Sequence, residues 1–368
     1  MNKQRLLNLV AALSKYDLGL LAPVNRRRVA GKFRWHADAW FAGESPLYER
    51  LSRSITGDTA LLDLACRSRS DQPVPYIFFG AVNLLLRKNP GDPLYEIYDA
   101  AANGETVEVD PFPDFRRFCL AHSSEIEAII SRRTVQSNIV SRSAVLVAAW
   151  FAVSRKLNGQ AFQHIEIGAS AGLTMLAPYF RFDFGGTKVG QANSEVQIAV
   201  ECRGSLMPPF DRPFPAIESI TGNELEPIAF DNQGEMDWLE ALIWPERDYY
   251  KRLHRAAVTV AHQHPPTIVS GDAIQRLPEI LAGLSPDLPV TIYHSHTLNQ
   301  FPDKLKQDFE ALLLEQSRRY RLFRIAFEGT ASGTASALEL FEYRDGKRSY
   351  ELLARCHPHG RWIEWLAE

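Results

Sequence analysis

The run His164-Ile165-Glu166-Ile167, followed at once by Gly168-Ala169-Ser170-Ala171-Gly172-Leu173, constrains this chain more than any other feature. A β-like run ends there in small residues and opens a helix. Small residues permit a tight turn and let a ligand approach the backbone, and the free N–H groups of a helix start then face that ligand. The pattern after this point is an alternation. β-like runs are expected at His164–Ile167, Ala216–Thr221, Thr267–Val269, Val290–His294 and Leu322–Phe327. Helical segments are expected at Gly172–Tyr179, Met236–Trp244, Asp248–His262, Arg276–Leu284 and Lys304–Arg319. Strands that alternate with helices imply parallel βαβ units. At the end, Ala337–Tyr343 and Ser349–Cys356 flank Asp345-Gly346, a hairpin signal. The fold class is therefore α/β: a doubly wound, mainly parallel sheet with a C-terminal antiparallel hairpin. Residues 180–215 break the alternation and read as an insertion, with a β-hairpin as one form.

Residues 1–158 read as a helical N-terminal region covering a domain at 159–368. Leu6, Leu7, Val10 and Leu13 form one face of an amphipathic helix, and Phe33, Ala37, Trp40 and Phe41 recur at helical spacing. Ser45-Pro46 supplies a cap with proline at the first helical position. The stretch Asn89–Asp114, rich in Pro, Gly and Asp, reads as loop, and helices resume at Phe115–Ser131 and Ser141–Leu157. The chain has 368 residues, 41 Lys+Arg and 44 Asp+Glu. A near-neutral balance argues against nucleic acid as the main partner, because phosphate binding needs excess Lys and Arg. The longest apolar run, Ala144–Val153, is about half of the ~20 residues of a membrane span. Four scattered cysteines without a CxxC pair argue against a zinc ribbon or disulfide framework and fit a reducing compartment. A cytoplasmic protein acting on a small molecule, without a membrane, is the expectation; the oligomeric state is open.

The glycine turn has two chemical readings. Glu166-x-Gly168-x-x-x-Gly172 resembles the first motif of class I S-adenosylmethionine-dependent methyltransferases. The resemblance implies that the acid organises the loop toward the methionine end of the cofactor, with Gly168, Ala169, Ser170 and Gly172 lining it. Ser170 stands where a middle glycine is common. Gly168-Ala169-Ser170-Ala171-Gly172 is also G-x-S-x-G, the nucleophile elbow of an α/β-hydrolase, with Asp272 and either His294 or His357 completing a triad. Context favours the first. A hydrolase elbow follows several strands, whereas nearly all of the chain before His164 reads as helical, and no His-Gly-Gly-type oxyanion loop precedes it.

Later strand ends should then supply an acid for the ribose hydroxyls and a polar group for adenine. Glu224, in Gly222-Asn223-Glu224-Leu225-Glu226-Pro227, stands at the first position, or is a solvated loop acid. Asp272, in Ser270-Gly271-Asp272-Ala273, stands at the second, or is a helix N-cap. Tyr293-His294-Ser295-His296 ends the strand nearest the transferred methyl. His294 and His296 fall on one face of that strand and suit proton transfer or, with His357 and His359, a metal; without a clear fourth ligand, no metal is assigned. Gln136 and Asn138 offer amides to a substrate or cap the next helix.

Taken together the motifs resemble a bacterial family known as a domain of unknown function. The resemblance covers most of the chain and rests on Phe33–Ala37, Ser45–Glu49, Arg133–Asn138, Gly168–Leu173, Cys202–Gly204, Trp244-Pro245, Gly271–Ala273, His294-Ser295 and His357–Trp362. Glu224 stands where that family usually has Asp. The resemblance implies a methyltransferase-like Rossmann domain behind a helical region. The expected activity is S-adenosylmethionine-dependent methyl transfer to a small molecule. The cofactor lies on Glu166, Gly168, Ala169, Ser170, Gly172, Glu224 and Asp272; the substrate lies on Gln136, Asn138, Arg142 and Arg361; His294 or His359 takes the proton. The alternatives are a serine hydrolase using Ser170 and a cofactor-binding protein without chemistry.

Overall fold

The computed structural model describes residues 22–136, 138–330 and 335–368. The helix expected around Leu6–Leu13 and Ser137 of the Arg133–Asn138 motif lie outside the described residues. The chain divides into two compact units, one containing 22–136 and 237–248, the other 138–236 and 249–368. Among the described residues no helix is long and apolar enough to cross a membrane.

The first unit is helical: α1 (Ala22–His36), α2 (Pro46–Ile55), α3 (Thr59–Ala65), α4 (Val74–Leu86), α5 (Pro93–Ala102), α6 (Phe112–Ala121) and α7 (Ser123–Ile130). Ser45 caps α2 as expected, its Oγ accepting from Tyr48 N. The stretch expected as loop holds α5, because Asp92 caps it through Leu94 N with Pro93 at the first position. The aromatic core joins Phe33, Phe41, Phe78, Phe79 and Phe115 to Trp238 and Trp244. The returning segment 237–248 is tied in by polar contacts. Trp238 Nε1 donates to Thr134 O (2.9 Å) and Asn83 Nδ2 to Ala241 O (2.9 Å). Glu246 accepts from Ser45 Oγ (2.7 Å) and Leu47 N (2.9 Å) at the start of α2.

The second unit holds an eleven-stranded mixed sheet. Its strands are β1 (Phe162–Ile167), β2 (Arg181–Phe184), β3 (Thr187–Gly190), β4 (Gln197–Arg203), β5 (Ile217–Glu224), β6 (Ile268–Ser270), β7 (Val290–Ser295), β8 (Leu322–Gly329), β9 (Ser336–Arg344), β10 (Lys347–Cys356) and β11 (Trp362–Trp365). The order is β3-β2-β4-β11-β10-β9-β8-β7-β1-β5-β6. The five strands expected from the alternation form the parallel block β6-β5-β1-β7-β8. The hairpin β9–β10 follows antiparallel, with Asp345 and Gly346 both at positive φ in its turn. The insertion adds the hairpin β2–β3 and the strand β4, and β4 pairs in parallel with the unanticipated β11.

The helices of this part of the chain are α8 (Ser143–Lys156), α9 (Gln233–Ala241), which leads into the returning segment, α10 (Asp248–Gln263), α11 (Ala273–Ala282) and α12 (Asp303–Gln316). Paired residues of neighbouring strands share a face and alternate along the strand. Ile165, Ile167, Val290 and Ile292 pack with Leu277, Leu281, Phe309 and Leu313 of α11 and α12. His164 lies on the opposite face, where Trp150 Nε1 of α8 donates to its Nδ1 (3.3 Å). The chain leaves β1 toward β5 and β6, then crosses back to β7 and β8. The C-terminal ends of β1 and β7 are thus a topological switch point, the place where open α/β sheets leave a crevice.

Candidate functional site

The turn after β1 takes the form its small residues predict. Gly168, Ser170 and Gly172 have φ of +77°, +54° and +72°. Its amides do not stay free, which corrects the expectation of a backbone cradle. Gly168 N and Ala169 N donate to Asn223 O (2.8 and 3.2 Å), Ser170 N to Glu224 Oε2 (2.9 Å), and Gly172 N to Ala169 O (2.7 Å). The glycines serve close packing. A Cβ on Gly168 would lie 2.7 Å from Thr297 Cγ2, and one on Gly172 would lie 2.7 Å from Pro266 Cβ. Glu224 is a loop organiser here, also accepting from Leu225 N (2.8 Å) and Glu226 N (3.4 Å). Asp272 is the N-cap of α11, accepting from Ile274 N (2.9 Å) and Gln275 N (3.2 Å).

On the α8 side of the switch point lies a group of buried polar atoms without partners among the described residues. Glu166 points there, with Thr174 Oγ1 donating to its Oε1 (2.6 Å) and its Oε2 unbonded. Burial pushes the Glu166 carboxyl up to about 8, with Glu224 adding to the rise while Thr174 and Arg142 oppose it. Tyr293, paired with Glu166 across the β1–β7 ladder, and Ser295 two residues on place buried hydroxyls near each other, with no partner outside the pair among the described residues. The buried Ser170 hydroxyl has no partner among the described residues either. Asn138 Nδ2 latches onto Ala169 O (2.9 Å) and leaves its buried Oδ1 unbonded.

Arg142 enters the same region from the turn before α8. It is 8% exposed, and Nε donates to Pro358 O (2.9 Å). Burial lowers its guanidinium to about 10, against the fields of Tyr293, Glu328, Tyr250 and Glu166. Burial first, then the field of Arg142 and of the neighbouring His357, His296 and Arg361, holds His359 well below the usual imidazole range. His296 is likewise lowered to about 3 by burial and Arg142. Arg361 is turned to His357 Nε2 (2.7 Å from Nη2).

The structure does not bring all the expected residues together. His294 faces the α11–α12 side, where its Nδ1–H donates to Glu328 Oε1 (2.7 Å) and its ring lies 6.4 Å from Phe309. His296 does not share that side: its φ of +52° breaks the strand alternation, and its Nε2 meets Ser336 Oγ (3.1 Å). Glu328 also accepts from Thr297 N and Leu298 N (3.1 and 3.0 Å) and so braces the loop after β7. Gln136 belongs to the first unit. Among the described residues Ser170, Asp272 and the histidines form no relay: the Ser170 hydroxyl has no hydrogen bond there, Asp272 caps α11, and His294 holds Glu328. Among the described residues no group of three His, Cys, Asp or Glu is arranged for a metal. Tyr293 and Glu328 were missed in the sequence. Tyr293 stood near the end of an expected strand, but its pairing with Glu166 depends on the β1–β7 register; Glu328 lay just past the expected strand end. A surface cavity of about 400 Å³, walled by Tyr179, Gln191, Asn193, Val260 and His264, contains none of the expected site residues.

A family model described as an uncharacterized protein conserved in bacteria (DUF2332) matches residues 30–365. No curated protein and no solved structure matches the chain.

Proposed function

We propose, for a chain that belongs to this uncharacterized bacterial family, that the switch-point site binds S-adenosylmethionine and that the protein is a methyltransferase acting on a small molecule. The observation that carries the reading is the set of buried polar atoms beside the glycine turn without partners among the described residues: Glu166 Oε2, Ser170 Oγ and Asn138 Oδ1. A buried polar group left without a partner costs about 1–3 kcal/mol, so several in one place argue for a polar ligand that completes them. The strand order β6-β5-β1-β7-β8 puts them where doubly wound sheets bind ligands.

The residues fit that cofactor at its amino-acid end. Glu166 would take the ammonium group on its free oxygen, and an arriving cation would return its carboxyl to the ionised form. Asn138 would hold the turn with one amide atom and offer the other to the ligand. Glu224 and Asp272 would reach the ribose and adenine with the acceptor capacity their amide bonds leave over. The bound sulfonium supplies an electrophilic methyl group. The chain's contribution is then mainly positioning, which carries most of the rate for a displacement between aligned reactants. His359, kept neutral, would take the acceptor's proton; His294, committed to Glu328, would not.

The test is a thermal shift with S-adenosylmethionine and S-adenosylhomocysteine. A ligand at about 100 times its Kd adds roughly 2.7 kcal/mol, a rise of several degrees for a chain this size. Glu166→Gln should abolish most of that rise. No shift with either ligand at millimolar concentration refutes the reading. Binding without methyl transfer to any acceptor tested would leave a cofactor-binding protein.

A further inference from the structure

Arg142 is a buried cation without a counter-ion. It is 8% exposed, and no carboxylate lies within ion-pairing distance among the described residues. Its one hydrogen bond is from Nε to a backbone carbonyl, Pro358 O. Neither terminal nitrogen has a partner among the described residues. An uncompensated buried charge is costly, and folds remove or pair such groups unless a ligand completes them.

The guanidinium is also held in place. Ser141 Oγ donates to His359 O (2.6 Å), which fixes the chain next to Arg142 against the 357–361 turn. Gly360, at φ +71°, comes so close that a Cβ there would lie 2.6 Å from Ser141 O. The fork of donors is therefore positioned before anything binds, the condition under which arginine recognises planar oxyanions best. The charged and titratable groups whose fields reach it are Tyr293 at the end of β7, Glu328 on β8, Tyr250 on α10, Glu166 on β1 and His359 in the 357–361 turn. His296 and His359 stay neutral beside it, and the other guanidinium near His359, that of Arg361, is turned to His357 Nε2.

We propose that Arg142 is the anchor for a carboxylate or phosphate group on the methyl acceptor, so that the substrate is a small organic anion. This rests on the methyltransferase reading for the word acceptor, and on the geometry of Arg142 alone for the anion site.

The experiment measures thermal shifts of the full chain and of Arg142→Met and Arg142→Lys with low-millimolar inorganic phosphate or malonate, and separately with S-adenosylhomocysteine. The expected result is a rise of about 3 °C with one of the anions in the unsubstituted protein, none in Arg142→Met, and an anion affinity at least about tenfold weaker in Arg142→Lys. The S-adenosylhomocysteine shift should persist in Arg142→Met. No anion shift in the unsubstituted protein, or an equal one in Arg142→Met, overturns the site, the latter marking a general salt effect. Loss of both shifts in Arg142→Met overturns the acceptor assignment, because Arg142 then holds the cofactor's own carboxylate. An Arg142-dependent anion shift with no response to S-adenosylhomocysteine leaves the anion site standing and removes the methyltransferase reading. If Arg142→Met does not fold, Arg142→Lys decides: unchanged anion affinity overturns the proposal.

Discussion

Gly168→Ala tests whether the turn is built for close packing against the loop after β7. Gly168 has φ +77°, and a Cβ there would collide with Thr297 Oγ1 and lie 2.7 Å from Cγ2 and 3.1 Å from Cβ. The left-handed conformation costs an L-residue about 1–2 kcal/mol. Overpacking adds about 1–3 kcal/mol, so Gly168→Ala should cost about 2–5 kcal/mol. Thr297→Ala alone removes a hydroxyl that donates to Ser295 O (3.2 Å) and should cost about 1 kcal/mol. In the double variant Oγ1 and Cγ2 are gone, which leaves the conformational cost and the tighter-than-usual 3.1 Å approach of the two Cβ atoms. The cycle should therefore show a coupling of about 1–3 kcal/mol, read from urea unfolding of the four proteins by circular dichroism. Additivity within about 0.5 kcal/mol would show that Thr297 does not seat on Gly168. A Gly168→Ala variant as stable as the parent would refute the turn geometry as well.

Three further outcomes are expected. Glu166 titrates at about 8 when folded, against an ordinary value of 4.5. The folded state therefore keeps a proton the unfolded state has lost, and stability falls as pH rises between these values, by at most about 1.4 kcal/mol per pH unit. Glu166→Gln should flatten that part of the stability–pH curve; parallel curves for the two proteins contradict the assignment. Asp272→Ala should cost about 1 kcal/mol through loss of the α11 cap, whereas Asp272→Asn keeps the cap. If Asp272→Asn also binds S-adenosylhomocysteine as the parent does, Asp272 is a cap and no adenine ligand. Glu246→Ala removes an acceptor of two hydrogen bonds at the start of α2 and should cost about 2–3 kcal/mol in the first unit's unfolding; a loss below about 0.5 kcal/mol would show the contact to be idle.

The parallel block was legible because its strands are short runs bounded by turn residues and alternate with helical segments, and the central β1 and β7 are buried on both faces. Val290–His294 is an example, matched by β7 within a residue. The hairpin was legible because Asp345-Gly346 is one of the few pairs that accept two consecutive positive φ values. The helix α5 was hidden by composition: Asn89–Asp114 is rich in Pro, Gly and Asp, yet Asp92-Pro93 is itself a start signal, and it outweighed the average. The return of 237–248 to the first unit had no local signature, since the hydrogen bonds of Glu246 span about 200 positions of sequence. At the site, residue types were legible and pairings were not. Glu166 and Gly168 could be read from the motif, but that Asn223 and Glu224 consume the turn's amides depends on the β1–β5 register. His294 and His296 were assigned one face by strand alternation, and a single left-handed residue undid it.

The separation of Glu166 from Arg142 is the step on which the binding reading turns. Each lies in the other's field, yet they form no ion pair among the described residues, and Glu166 keeps its proton up to about pH 8 instead of ionising against the guanidinium. Each has a hydrogen bond elsewhere: Arg142 Nε to Pro358 O, and Thr174 Oγ1 to Glu166 Oε1. Thr174→Val removes the second without changing the side chain's shape. Because that bond lowers the Glu166 pKa against the effect of burial, its loss should move the titration above about 8. The cost should then depend on pH. Where the carboxyl is ionised, near pH 9, the variant loses a hydrogen bond to a charged group, about 1.5–3 kcal/mol. Near pH 6, where the folded protein keeps the proton, the loss is that of a neutral bond, about 0.5–1.5 kcal/mol. Unfolding measurements on both proteins at the two pH values decide it. An equal cost at both would mean that Glu166 does not titrate in this window, and that nothing but geometry keeps it from Arg142.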